Sequence, residues 1–181
     1  MVDAAVLALV SRQAGRVLVV RKKCPSPSPW ACDIALPGGR IKPGESPIET
    51  ALREAWEEAC IHPSTVDVKS IIGYEKTLSG GLEIAIVYGE PRGPIDPKPC
   101  DNEVDSVAWI SLSILEEKAR LVEHPVRGKV YGYHLPGNLI LWGVTLRILK
   151  IIKQVIDPLR YPLPPKSRRQ RGKGKENKDE T

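Results

Sequence analysis

The sequence comprises 181 residues with a formal net charge of +5, long enough to bury one core without disulfide or metal staples. The charge resides at the C-terminal end, where eight Lys or Arg from Arg160 onward face three acidic residues and account for the whole +5. The neutral body has no overall basic field to draw in a polyanion, which excludes a nucleic-acid coat and leaves nucleic acid as a partner only of the tail.

In chain order, residues 4 to 10 (AAVLALV) and 16 to 21 (RVLVVR) are β-branched and apolar and predict two strands around Gln13-Ala14-Gly15. The first run follows Asp3 rather than a basic stretch and is cut short by Arg12. It is therefore neither a signal peptide nor a membrane span, and a cytoplasmic protein without membrane contact is expected. A proline- and serine-rich loop (CPSPSPW) leads to a short strand around Asp33 to Leu36, a turn at Pro37-Gly38-Gly39 and a second turn at Pro43-Gly44. Ser46-Pro47-Ile48-Glu49 then supplies a complete helix start, with Ser at the N-cap, Pro at the first helical position and Glu three residues after the cap. That helix is predicted to end near Cys60, ahead of Pro63.

Further strands are predicted over 66 to 75 and 83 to 88, joined at Ser79-Gly80-Gly81, and over 104 to 110, with a proline-rich loop at 91 to 100. Apolar residues at helical spacing predict an amphipathic helix from Leu139 to Ile156, stopped by Asp157-Pro158. The prolines and charges beyond it predict a domain over 1–159 and a disordered basic tail over 160–181. The four cysteines, Cys24, Cys32, Cys60 and Cys100, show neither CxxC pairing nor a His at zinc-ligand spacing, and they read as reduced thiols. Nothing in the sequence marks an oligomer interface.

The chemistry concentrates on the first helix. Placed at 100° per residue from Glu54, Glu57 falls near roughly 300° and Glu58 near roughly 40°, so three carboxylates share one narrow arc. Ile48, Ala51, Leu52, Ala55, Ala59 and Trp56 fall between about 60° and 200°, the face expected to pack on a sheet. Like charges at these spacings repel by a few tenths of a kcal/mol per pair, and basic partners at the same spacings are nearly absent. Two readings answer this: a solvated helix face, or a site for a hard cation such as Mg²⁺ or Mn²⁺, which a few carboxylates hold together with water and phosphate oxygens.

From Gly39 the order is Gly, five residues, Glu45, seven residues, Arg53-Glu54-Ala55, one residue, Glu57-Glu58, one residue, Cys60 and Ile61. This run resembles the signature box of the Nudix hydrolases. The resemblance implies an α/β fold, an α/β/α sandwich with a mixed sheet. It also implies a diphosphatase that uses Mg²⁺ or Mn²⁺ on a small nucleotide-like substrate. By the same resemblance Glu54, Glu57 and Glu58 are metal ligands, joined by the carbonyl of Gly38 or its neighbour, with Glu54 and Glu57 central to catalysis and Gly39 beside the substrate. Glu45 and Arg53 match a pair that holds the loop against the helix. A further acid from outside the box is expected as base or extra ligand. Asp101, Glu103 and Asp105 are the candidates, Glu103 at the acid position ahead of the 104–110 strand, and surface loop charges are the alternative reading. The box departs from the family at Cys60, where Gly is usual and where a left-handed residue other than Gly costs roughly 1 to 2 kcal/mol.

Two further segments bear on substrate. LILWGVTLRILKII, residues 139 to 152, resembles the Trp-Gly-x-Thr helix start of the coenzyme A diphosphatase branch, with a simple packing role for Trp142-Gly143 as the alternative. Val17 to Arg21 with Leu36-Pro37-Gly38-Gly39 resembles that branch's second motif, with Leu36 for the usual Phe and a stretched spacing. The resemblance implies coenzyme A or an acyl derivative as substrate, cleaved to phosphopantetheine and adenosine bisphosphate. Arg21, Lys22 and Lys23 would contact its phosphates, unless they form only a solvated strand end. ADP-ribose, dinucleoside polyphosphates and oxidised nucleotides are the alternatives within the family. A Nudix domain that binds nucleotides or RNA without catalysis is the alternative of another class, to which the tail would contribute.

Overall fold

The structure, a computed structural model, describes residues 2–78 and 80–157. Ser79 and the basic tail lie outside the described residues. The two apolar runs form β1 (Ala4–Ser11) and β2 (Arg16–Lys22), which pair only at Val10 with Val17 and Ser11 with Arg16. Beyond that point they diverge, and the edge of β1 that β2 leaves is taken by β4 (Gly38–Arg40), antiparallel to Ala4, Ala5 and Val6. The other edge of β1 carries β6 (Glu83–Pro91) in parallel, and β6 pairs antiparallel with β5 (Val66–Lys76). β2 continues against β7 (Val104–Ser111) and, at its end, β3 (Ile34–Ala35). These seven strands make one mixed sheet, forked where β1 and β2 part. A smaller antiparallel sheet holds β8 (Arg120–His124), β9 (Gly128–Leu135) and β10 (Leu139–Trp142).

Alternation along the strands sends side chains to two cores. Leu7, Leu9, Leu18, Val20 and Val87 pack beneath α1 (Pro47–Ala59), with its small residues Ala51, Ala55 and Ala59. Val10, Val17, Val19, Ile86 and Tyr88 pack on the other face with α2 (Gly143–Ile156) and the small sheet. The α/β/α sandwich is the one expected. Truncating Leu7, Leu18 or Leu149, all fully buried, to Ala would cost about 2–5 kcal/mol each.

Several elements differ from the sequence reading. Leu139–Trp142 is strand, paired along β9, and the helix begins at Gly143. A short apolar run looks the same as strand or buried helix until its partner is known. Gly38 and Gly39 are not a free turn but begin β4. β8 and β9 were not anticipated, because exposed Arg120, Leu121, Lys129, Tyr131 and His134 break the apolar pattern. Trp56, expected in the core, is 48% exposed and meets the His62 ring edge-on at 5.3 Å.

The cysteines are not reduced thiols. Cys24 is bonded to Cys32 and Cys60 to Cys100, with Cα–Cα separations of 4.6 and 5.6 Å, inside the range a disulfide spans. No spacing rule identifies such pairs, since Cys60 and Cys100 meet only through the fold. Among the described residues no helix is long and apolar enough to cross a membrane.

Candidate active site

The helix that carries the acids is fixed at its start by local chemistry and at its end by local and distant donors together. The Glu49 amide donates to Ser46 Oγ (3.3 Å) and the Ser46 amide to Glu49 Oε2 (2.8 Å), a reciprocal cap. At the other end Cys60 takes a left-handed conformation, φ 56°, and its amide donates to Trp56 O (3.1 Å). The carbonyls of the last turn find donors in the loop after β6. The Lys98 amide reaches Ala59 O (3.1 Å) and the Cys100 amide reaches Glu58 O (3.2 Å), so acceptors that lack helical partners are satisfied.

Arg53 organises the outer carboxylates. Its Nε and Nη2 donate to Glu45 Oε1 (2.7 Å) and Oε2 (3.0 Å), a forked pair. Its Nη1 donates to Glu54 Oε1 (2.7 Å) and Glu57 Oε2 (3.0 Å). The fully buried Thr50 adds a hydroxyl bond to Glu45 Oε2 (2.7 Å). The Arg53 bonds are the main reason that the Glu45 carboxyl is held down to about 2. The expectation that basic partners are nearly absent from this arc is thus corrected: Arg53, four residues before Glu57, offsets the repulsion at two of the three acids.

Glu58 does not share the open acidic arc but turns inward, and it is only 3% exposed. It sits at the fork of the sheet, where the Gly38 amide of β4 donates to its Oε2 (3.2 Å) and the Lys22 ammonium at the end of β2 donates to its Oε1. Burial pushes its carboxyl up and Lys22 opposes that shift. The register between β2 and β7 shifts between Arg21 and Lys22, which pair with Ser106 and Val104, so the extra residue, Asp105, lies in β7 opposite the point where Lys22 leaves β2. At Gly39, next to Gly38, a Cβ would meet the Glu54 carboxylate, so a side chain there would displace that acid rather than the backbone.

A cleft of about 360 Å³ opens beside this cluster, lined by Lys22, Lys23, Ser26, Ser28, Asn102 and Glu103 among others. One wall is the proline- and serine-rich loop and the other is the end of the loop before β7. The Lys23 amide donates to Glu103 O (2.8 Å), joining them. Of the three acids considered outside the box, Asp101 accepts from the Glu103 amide (2.8 Å), Asp105 accepts from the Cys24 amide (2.9 Å), and Glu103 lines the cleft. Arg21 follows Val17 and Val19 in strand parity, toward the α2 face, and is not among the lining residues.

Sequence reasoning did not single out the donors Ser26, Ser28 and Asn102, nor the anchor at Asp33. Trp142 Nε1 donates to Asp33 Oδ1 (2.8 Å), His124 Nε2 lies 3.1 Å from the same oxygen, and Thr145 Oγ1 donates to Ile34 O (2.9 Å). The Trp and Thr of the Trp-Gly-x-Thr run thereby tie the start of α2 to the strand that follows the cleft loop. Burial pushes the Asp33 carboxyl up and the His124 imidazole down. His124 and Asp33 are far apart in the chain, and no local pattern relates them.

Among the described residues no three of His, Cys, Asp and Glu converge on one point. Carboxylate oxygens are the donor type that hard divalent cations take, and here their charge is balanced by side chains of the protein itself. Glu54, Glu57 and Glu58 lie on one helix, and each already faces positive charge from Arg53 or Lys22. A buried carboxylate like Glu58 is costly without a cation beside it.

Comparison with known proteins extends this picture. The NUDIX domain model matches residues 1–131. The Nudix hydrolase NudL of Cronobacter sakazakii is 31% identical over 157 residues, covering 82% of this chain and 79% of its own length. A nucleoside triphosphate pyrophosphatase/Nudix hydrolase fusion protein of Bifidobacterium longum is 35% identical over 79 residues, which is 42% of this chain and 16% of that protein. The crystal structure of a Nudix hydrolase from M. smegmatis, RenU, shares the fold, with a TM-score of 0.58 at 17% identity, covering 90% of this chain and 89% of that one.

Proposed function

This chain belongs to the Nudix hydrolase family, and on that premise we propose that it is a divalent-cation-dependent diphosphatase whose substrate is coenzyme A or an acyl derivative of it. The observation that carries the chemistry is the set of three carboxylates on α1, with Arg53 serving Glu54 and Glu57 and Lys22 serving the buried Glu58. Glu54, Glu57 and Glu58, with the Gly38 carbonyl, would hold Mg²⁺ or Mn²⁺. Such a cation would supply charge neutralisation and a more nucleophilic water.

The remaining roles fall to the chain itself. Glu45 braces Arg53, and Arg53 holds Glu54 and Glu57 in one orientation, so these acids are preorganised before substrate arrives. Gly39 leaves room for the Glu54 carboxylate. Glu103 accepts the proton of the attacking water from across the cleft. The phosphorus is attacked in line and the other phosphate ester leaves.

The cleft supports an anionic substrate larger than the scissile diphosphate. Lys22 and Lys23 are ammonium donors, and Ser26, Ser28 and Asn102 add neutral donors. That set suits phosphate oxygens, including the additional phosphate on the nucleoside of coenzyme A. The Trp142 and Thr145 bonds place the resembling C-terminal run against the end of the same cleft loop.

The test is to incubate the protein and Glu57→Gln with coenzyme A, ADP-ribose and nucleoside triphosphates in Mg²⁺ or Mn²⁺, identifying products by mass. Phosphopantetheine formed in a metal- and Glu57-dependent manner is expected. Cleavage of ADP-ribose or a dinucleoside polyphosphate instead would reject the substrate and keep the chemistry. No turnover at all, with nucleotide or RNA still bound, would reject the enzyme.

A further inference from the structure

Each wall of the cleft is tied down by its own disulfide. The wall that supplies Lys23, Ser26 and Ser28 is closed at its base by Cys24–Cys32, reinforced by the Cys32 amide donating to Lys23 O (3.3 Å). The wall that supplies Asn102 and Glu103 belongs to the segment between β6 and β7, rich in proline and lacking regular structure. Cys60–Cys100 bolts that segment to the C-terminal end of the helix that carries Glu54, Glu57 and Glu58. Cys60 is left-handed, a conformation that disfavours a side chain, and yet it bears the one side chain that makes this link.

We infer that the two disulfides are positioning devices with separable roles: Cys60–Cys100 sets Glu103 against the carboxylate helix, and Cys24–Cys32 sets the phosphate-binding wall. The inference rests on the diphosphatase reading for its kinetic form, while the bonds and the loops they hold can be examined without substrate. Among the described residues, the segment without Cys60–Cys100 keeps no covalent tie to α1, only the Lys98 and Cys100 amide bonds and the packing of Ile95 on the core beneath the helix, while the Lys23 amide still holds Glu103 O. Small displacements of a catalytic base are amplified in rate. Loss of the other bond frees donors that hold the substrate in ground state and transition state alike, which raises KM and leaves kcat.

The experiment begins with alkylation of the unreduced full chain and mass measurement, where no free thiol is expected. Hydrogen exchange is then compared before and after reduction, with faster exchange expected at the Lys98 and Cys100 amides and within residues 24–32, and an unchanged α1 interior. Kinetics on the best substrate follow for Cys60→Ser/Cys100→Ser and Cys24→Ser/Cys32→Ser. The first variant is expected to lose about tenfold or more in kcat with Mn²⁺ affinity measured without substrate unchanged. The second is expected to gain about tenfold in KM with kcat retained. A Cys60→Gly/Cys100→Ser variant, which relieves the left-handed strain, should show the same loss of kcat, placing the effect in the loop. Free thiols in the isolated protein, unchanged exchange on reduction, or variants with both kinetic constants intact would each overturn the inference. Exchange that responds as expected in a protein that cleaves no diphosphate would reject the proposed reaction and leave the bolted loops standing.

Discussion

Replacing Lys22 by Met should destabilise the metal-free protein in a manner that grows with pH. Glu58 and Lys22 have side chains only 4% and 15% exposed, and removing one partner of a buried pair typically costs about 3–5 kcal/mol. Two features moderate that figure here. The Gly38 amide still bonds Glu58, and the carboxyl can take a proton. Burial already holds the Glu58 carboxyl above its ordinary 4.5, and Lys22 is the first opposing influence, so its loss pushes the carboxyl further up. A group whose folded value is raised contributes stability below its unfolded value and loses it as pH rises through the folded value. The penalty of Lys22→Met should therefore be small near pH 5. It should increase by up to about 1.4 kcal/mol per pH unit above 4.5, where the unfolded carboxyl has ionised and the folded one has not, and level off at about 3 kcal/mol by pH 8, once Glu58 ionises in the folded state as well. Guanidinium unfolding of EDTA-treated wild type, Lys22→Met, Glu58→Gln and the double variant at both pH values measures it. At pH 8 the double variant should be more stable than Lys22→Met alone, because Gln leaves no buried charge. A penalty that is the same at pH 5 and pH 8, or one below about 1 kcal/mol at pH 8, would refute the reasoning.

Two other expectations concern the box itself. Glu45 is held down to about 2 by Arg53, so its contribution is present above the unfolded value of 4.5 and is lost as pH falls toward 2; thermal melts from pH 5 to pH 2.5 should show a steeper loss for wild type than for Glu45→Gln. Gly39→Ala places a methyl group on the Glu54 carboxylate, and a Mn²⁺ titration should show weaker binding at an unfolding temperature close to that of wild type.

Local chemistry was legible in the sequence wherever a signal is contained in one segment. The cap at Ser46 and Glu49, the stop at Cys60 and the strand character of β1 and β2 all depend on neighbours a few residues apart. The order of acids on α1 was likewise readable, but their environments were not. Glu58 lies near 40° on the helical wheel, close to the apolar arc, and only the fork between β1 and β2 shows why a carboxylate can face inward there. The fork itself has no signature, since it arises when β4 displaces β2 along one edge of β1. The Glu103 side of the cleft was marked by its place before a strand, whereas Ser26, Ser28 and Asn102 were ordinary loop residues until two distant loops met. Arg21 and Lys22, adjacent in sequence, part to opposite faces of a strand, which period-2 geometry dictates and which a shared role as strand-end cations overlooked.

Cys60 shows how a local cost and a long-range gain settle at one residue. The left-handed position at the end of α1 disfavours a non-Gly residue by roughly 1 to 2 kcal/mol, and from the sequence that is all that can be computed. The fold brings Cys100 within bonding reach across a sequence separation of 40. Closing a loop of that length restricts the unfolded chain by an amount worth about 4 kcal/mol in the chain-entropy description. The bond therefore more than offsets the strain, and the residue that departs from the family's Gly ties the glutamate helix to the loop that carries Glu103.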